Sequence, residues 1–328
     1  MKRMLFFFLF ILLFQESFVY SWITLVPVSP LSQSIYYAPR DVTIFSVSND
    51  SRHVAVGFNA ICIYINNPEG GTYERCDGSA SIYLLKDGEL LWKKENIGDF
   101  IVSLSLSSNY VAVAVQKAQK IGVGFIYLFD RKGNLIWRKE TEWPQRIIIT
   151  TKNNIILGTQ DDYVYAFDKE GNLLWKKRAG GILDISVDGN YIVAGSTNTK
   201  TIYLLDRNGT ILWRREVGLL GNAAISEKGE YVATIVFDNY NDYYNSKNGK
   251  VLIFNKAGKL LHEYKNVSTF SLSKEGKYLA LAFRDNIVLL DIEGGIMWER
   301  SIKNGMLISL NNDLMQLVPP MVNYISHN

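Results

Sequence analysis

One segment recurs six times along the chain, and no other feature constrains the fold as tightly. It reads SIYLLKDGELLWKKE from Ser81, FIYLFDRKGNLIWRKE from Phe125, YVYAFDKEGNLLWKKR from Tyr163, TIYLLDRNGTILWRRE from Thr201, KVLIFNKAGKLLHEYK from Lys250 and NIVLLDIEGGIMWERS from Asn286. Its landmark aromatic is Trp92, Trp137, Trp175, Trp213 and Trp298, with His262 standing in that place in the fifth copy. Successive landmarks lie 45, 38, 38, 49 and 36 residues apart, a period shared by propeller blades and helical solenoids. The pattern inside each copy separates the two. Short β-branched and aromatic runs flank a Gly turn that carries Asp or Asn, which is a hairpin signature. No stretch beyond residue 26 shows helical periodicity.

A second hairpin precedes each of these. It is clearest as ILDISVDGNYIVAGS from Ile182, with relatives starting at Val42, Ile101, Arg146, Gly221 and Ser268. Two hairpins give four strands, here called a to d from the inner edge outward. A lone four-stranded blade cannot cover both of its apolar faces, so blades must stack side by side and close into a ring. Trp92, Trp137, Trp175, Trp213 and Trp298 then read as packing residues between blades. After the sixth copy, GMLISLNNDLMQLV from Gly305 matches the a–b hairpin of a seventh blade, and Val322 to Ser326 supplies its strand c. Ser34 to Ala38 lies where a d strand belongs, and pairing the two chain ends would remove free sheet edges. The expected fold is all-β, a seven-bladed propeller closed by an N-terminal strand, with six or eight blades as alternatives.

The N-terminus begins Met1-Lys2-Arg3-Met4, continues with an apolar run from Leu5 to Phe14, and then turns polar at Gln15 and Glu16. A basic start before a run of this length reads as a secretory signal, cleaved or kept as an anchor. The expected plan is a signal peptide or anchor over residues 1–21, a linker over 22–33 and the propeller over 34–328. The protein is therefore expected outside the cytoplasm, secreted or anchored to the outer side of the cell membrane. Its net charge of +3 comes from cations spread along the chain, which argues against a nucleic-acid partner. The only cysteines, Cys62 and Cys76, are expected to form a disulfide closing a short loop in an oxidising compartment. No CxxC spacing or histidine cluster accompanies them, so no metal site is expected.

The hairpin with Tyr, then Asp, then Gly and Trp, as in Tyr127, Asp130, Gly133 and Trp137, resembles the repeat of quinoprotein-like propellers. The preceding half, as in Ser186, Asp188, Gly189, Tyr191 and Ala194, is similar to WD-repeat and other secreted propellers. The resemblance covers nearly the whole exported chain and implies the propeller fold. It also raises two classes of function, because this fold hosts many. Its pyrroloquinoline-quinone dehydrogenases use a calcium-bound cofactor, an acidic base and often a vicinal disulfide, none of which can be matched here position by position. No cofactor and no catalytic residue is carried over. Its non-enzymatic members, including periplasmic scaffolds of membrane-protein assembly, match the size and the export segment better.

The departures from the repeat point to where a partner binds. Three insertions, Asn59 to Ala80, Gln116 to Gly124 and Asp238 to Gly249, all fall between strands b and c, and so are expected on one face of the ring. The first contains Tyr73, Arg75 and Asp77 beside the cysteines; the third contains Asp238, Tyr240, Asp242, Tyr243 and Tyr244. Tyr and Asn combine rigid amphipathic contact with adaptable hydrogen bonding, suited to a protein or glycan surface. The function expected is a non-catalytic binding or scaffolding module. The alternative is a quinone- or calcium-dependent oxidoreductase or hydrolase working in the channel.

Overall fold

The apolar alternation of the repeats folds as short antiparallel strands joined into four-stranded sheets. The computed structural model describes residues 42–48, 52–66, 72–117, 122–301, 307–311 and 314–318. Contacts group the chain into two units, residues 1–181 and 182–328.

In the first unit the chain runs through β1 (Val42–Val47), β2 (His53–Phe58), β3 (Ile61–Asn66), β4 (Thr72–Asp77), β5 (Ser81–Lys86) and β6 (Glu89–Lys94). It continues with β7 (Phe100–Leu106), β8 (Tyr110–Gln116), β9 (Val123–Asp130) and β10 (Leu135–Glu142). It ends with β11 (Pro144–Ile149), β12 (Ile155–Thr159), β13 (Tyr163–Phe167) and β14 (Leu173–Arg178). These form three four-stranded sheets, β1-β2-β5-β6, β7-β8-β9-β10 and β11-β12-β13-β14, with β3 and β4 paired as a separate hairpin.

The second unit holds β15 (Gly181–Ile185), whose first residue is the last of the first unit, then β16 (Tyr191–Ser196), β17 (Thr201–Asp206), β18 (Ile211–Glu216), β19 (Leu219–Ile225) and β20 (Tyr231–Phe237). A short helix, α1 (Tyr240–Asn245), comes before β21 (Gly249–Asn255), β22 (Leu260–Val267), β23 (Thr269–Leu272) and β24 (Tyr278–Ala282). Then follow β25 (Asn286–Asp291), β26 (Ile296–Ser301), β27 (Leu307–Asn311) and β28 (Leu314–Val318). Three more four-stranded sheets result, β15 to β18, β19 to β22 and β23 to β26, plus the pair β27-β28.

Within each unit, apolar clusters fill the gaps between consecutive sheets. In the first unit one cluster joins Ile82 and Leu84 to Val111, Val113 and Val115. The opposite face of β8 sends Ala112 and Ala114 toward Ile147, Ile155 and Leu157. One strand thus serves two gaps, which is why b strands read as continuous apolar runs. In the second unit, Leu204 and Trp213 meet Val232 and Phe254, and Ile253 and Phe237 meet Leu279 and Leu281.

The repeat motif is explained by one interlocking turn. Asp130 Oδ1 accepts from the backbone N–H of Lys132 at 2.9 Å and of Asn134 at 2.8 Å, closing the c–d turn over Gly133, whose φ is +86°. The indole of Trp92, one sheet earlier, lies against that glycine and donates to the Arg131 carbonyl at 3.0 Å. Trp137 does the same to Gly171 and the Lys169 carbonyl, and Trp213 to Gly258 and the Lys256 carbonyl. A side chain on the glycine would occupy the indole's place, so Gly is required twice over, by sterics and by φ. The a–b turns interlock as well: Tyr191 covers Gly229, and Tyr231 covers Gly276.

Every d strand carries a bulge one residue before the landmark. Leu84 pairs with Trp92 and Leu85 with Leu90, leaving Leu91 unpaired. The same skip falls at Ile136, Leu174, Leu212, Leu261 and Met297. A bulge re-aims the residue that follows it and blunts an exposed edge. At the inner edge, N–H groups of Leu106, Ile147 and Ile149 donate to Ser46, Ser103 and Ser105 of the preceding sheet, and Ile225 donates to Asp184. The polar side chains of these inner strands therefore hold sheet to sheet.

Among the described residues six four-stranded sheets are seen, where seven blades were expected. The hairpin β27-β28 lies where the seventh a–b pair was expected. The expected strand c at 322–326, the closing strand at 34–38, and the segments 1–21 and 22–33 lie outside the described residues. The helix α1 departs from the sequence reading, which gave no helix after residue 26. Among the described residues, no helix is long and apolar enough to cross a membrane.

Candidate functional site

Each antiparallel sheet has two ends. The a–b and c–d turns occupy one, here the turn end; the b–c connections and the links to the next sheet occupy the other, the loop end. Turn-end segments are short, and their capping repeats from sheet to sheet. The insertions all lie at the loop end of their own sheets.

In the first unit, the β2–β5 connection is a β-hairpin. Its register sets Cys62 directly opposite Cys76, Ile65 opposite Tyr73, Ile63 opposite Arg75 and Ile61 opposite Asp77. The base of the hairpin is clamped: Ala60 N–H donates to Asp99 O at 2.9 Å, Ala80 N–H to Gly98 O at 2.7 Å, and Ile101 N–H to Asn59 Oδ1 at 2.7 Å. The β8–β9 connection is tied to the same linker, since Asp99 N–H donates to Gln116 O at 3.3 Å.

Sequence reasoning missed Trp143, which organises that region. Its φ of +42° is unusual for a bulky residue. Its N–H donates to Gly122 O at 2.8 Å, its indole lies on Gly122, and its carbonyl accepts from Gln160 N–H at 2.9 Å. The available signal was that Trp143 is the one tryptophan beyond residue 26 outside the landmark series.

In the second unit, the β20–β21 insertion is an ordered platform. Asn239 caps α1, its Oδ1 accepting from Asp242 N–H at 2.9 Å and its Nδ2 donating to Asp242 Oδ2 at 2.8 Å. Asn248 Nδ2 donates to the other Asp242 oxygen at 3.0 Å, and Ser246 ends the helix with φ +48°. Lys250 closes the base on Asp238 at 2.6 Å. Tyr243 points inward, edge-on to Phe237 with centroids 5.7 Å apart. Tyr240 and Tyr244 point out, stacked with centroids 6.1 Å apart and 25° between planes. They are 54% and 77% exposed, so most of their aromatic surface faces solvent.

The five sequence-predicted residues of this loop therefore divide by role. Asp238, Asp242 and Tyr243 build the platform, whereas Tyr240 and Tyr244 are its exposed aromatic side chains. At the turn end of the same unit, Tyr191, Leu212, Trp213 and Lys256 line an open groove of about 640 Å³. Lys256 sits 4.4 Å from the Tyr191 ring centroid, and its pKa is raised, chiefly by a hydrogen bond with Tyr191. Among the described residues, no group of three or more His, Cys, Asp or Glu side chains is placed to hold a metal ion.

Comparison with known proteins follows this geometry. The family model described as outer membrane protein assembly factor BamB matches residues 76–305. Among solved structures, Sqt1 from Chaetomium thermophilum, bound to the N-terminus of ribosomal protein L10, aligns with a TM-score of 0.57 at 14% identity. That alignment covers 80% of this chain and 75% of Sqt1. Hsv2 from Kluyvelomyces marxianus aligns with a TM-score of 0.52 at 13% identity, covering 81% and 85% respectively. At these identities the likeness is one of fold, the propeller fold. A search of curated proteins by sequence gives no match.

Proposed function

The chain belongs to the propeller-repeat family described as outer membrane protein assembly factor BamB, and from that premise we propose that it is a non-catalytic scaffolding propeller that captures a protein partner outside the cytoplasm. One observation carries the reading: α1 holds Tyr240 and Tyr244 stacked and exposed on a base of capped, mutually bonded side chains. Rigid aromatic side chains offer a large contact area at small entropic cost, which is why they dominate protein-binding hot spots. The family's described role in assembly and the complex of Sqt1 with a ribosomal-protein segment are in keeping with a protein ligand.

Three further elements belong to this reading. In the first unit, the hairpin β3-β4, with Tyr73, Arg75 and Asp77, and the β8–β9 connection offer a further contact surface for a partner. Cys62 and Cys76 form a disulfide across the hairpin; directly opposed strand positions have the Cα spacing that a disulfide requires. The export segment delivers the chain to a compartment where that bond persists, and strands from the two chain ends complete a seventh blade with β27 and β28.

The test is capture from membrane extracts with the full chain, followed by affinity measurement with the retained protein. Replacing Tyr240 and Tyr244 with Ser should weaken that affinity at least about tenfold, the loss of a hot-spot residue or more. Equal affinity would reject the site. A partner released by glycosidase treatment alone would assign the surface to a glycan.

A further inference from the structure

The bulges place unusual residues on the outer edge of the second and third sheets. In β10, Leu135 and Ile136 are exposed, and in β14, Leu173 and Leu174 are 54% and 49% exposed. In each strand one of the pair is the unpaired bulge residue. The two strands lie on neighbouring sheets, since the Trp137 indole of β10 bonds the turn that precedes β14. In each strand a tryptophan and then two or three cations follow the aliphatic pair, and in β10 Glu140 and Glu142 balance those cations. The strand β14 reads Leu-Leu-Trp-Lys-Lys-Arg, three cations and no carboxylate in six residues, matching the +3 net charge of the whole chain. Two cations are braced from below, Arg138 over Phe125 at 3.8 Å and Lys176 over Tyr163 at 3.9 Å from the ring centroids.

An exposed aliphatic pair beside undiluted positive charge is the composition of a surface that lies on anionic lipid. The aliphatics enter the headgroup boundary while Lys and Arg meet the negative headgroups. The other described outer edge strands differ: Glu89 in β6, Glu140 and Glu142 in β10, Glu216 in β18, Glu263 in β22 and Glu299 in β26 stand among their cations. We propose that the outer edge strand β14 docks on an anionic membrane surface. This orients the propeller by a contact separate from its N-terminal segment.

The experiment is vesicle flotation of the full chain with phosphatidylglycerol–phosphatidylcholine vesicles, against vesicles of phosphatidylcholine alone. Any insertion of the N-terminal apolar segment is common to every variant and sets the baseline. The wild type should bind the anionic vesicles above that baseline, and lose the excess at high salt. Replacing Lys176, Lys177 and Arg178 with Gln should reduce the excess affinity about a hundredfold, each near-surface cation contributing about fivefold. Replacing Leu173 and Leu174 with Ser should reduce it about tenfold or more, with the thermal transition unchanged. Hydrogen exchange in a peptide spanning 173–178 should slow only with anionic vesicles. Equal binding by wild type and variants, or equal binding to both vesicle types, overturns the proposal. So does capture of an acidic protein through this edge with no gain on anionic vesicles. None of these outcomes bears on the tyrosine platform.

Discussion

The two ends of the same sheets follow different rules. At the turn end, one arrangement repeats: a carboxylate or amide closes the turn, a glycine turns it, and an aromatic from the preceding sheet covers the glycine. At the loop end the three insertions differ from one another. One connection is a hairpin, one is pinned by Trp143, and one is a capped helical turn. Contacts that recur in every sheet serve the fold, because any sheet can stand in for any other. Contacts that occur once are free to serve a partner. The difference teaches where stability and specificity separate in a chain built from repeats.

The largest effect expected from breaking the turn end is at Trp213, the most buried of the described landmark residues in the second unit. Trp213→Ala removes its packing and its bond to Lys256, and should cost about 3–5 kcal/mol in the denaturant-unfolding transition. Gly258→Val should be comparably damaging, since its Cβ would lie 2.7 Å from the Trp213 ring. A loss below about 1 kcal/mol for both would show that the interlock is ornamental to stability.

Acid should loosen the turn end selectively. Burial acts to raise the Asp130 and Asp168 pKa values, but the hydrogen bonds from Asn134 and Asn172 and the turn N–H groups outweigh it, and both carboxyls sit below the usual range. A carboxylate with a depressed folded pKa stabilises fully above its unfolded value of about 3.9, and that contribution is lost as pH falls through the folded value. Melting temperature should therefore drop below about pH 4, and the double variant Asp130→Asn, Asp168→Asn should show a shallower drop. Identical profiles would remove these carboxyls from the account.

The fifth copy offers a gain where the others offer only losses. His262 lies against Gly294 in the position that Trp213 holds against Gly258. His262→Trp supplies the indole N–H to the Ile292 carbonyl, and should stabilise by about 1 kcal/mol, the net value of one such bond. A decrease would mean that this seam is shaped for the smaller ring. The smallest effect is expected at the loop end: Tyr240→Ala and Tyr244→Ala should change stability by no more than about 0.5 kcal/mol while weakening partner affinity.

How much of this was legible follows from the range of each interaction. The turn motif was legible because Asp130, Gly133 and Trp137 lie within one hairpin, and local chemistry writes itself into local sequence. That Trp92 covers the glycine of the following turn could be inferred only as packing between blades. The bulges were hidden, because a skip at Leu174 is a matter of register between strands and leaves no compositional trace. The helix α1 was hidden for another reason: six residues are too few for a periodicity, and its order comes from Asn239, Ser246 and Asn248 capping its ends. The hairpin β3-β4 was present in the alternation of Ile61, Ile63 and Ile65, but its length was read as an insertion. The division of the blade-five loop into platform and contact residues needed side-chain directions, which sequence does not supply.

The central claim is that partner contact concentrates at the loop end. It is tested most directly by placing a photo-activatable phenylalanine at Tyr244 in one protein and at Lys228 in another, at opposite ends of the β19–β22 sheet. After irradiation in membrane extracts, a discrete cross-linked protein partner is expected from position 244 and none from position 228. Cross-linking from 228 with none from 244 would contradict the account.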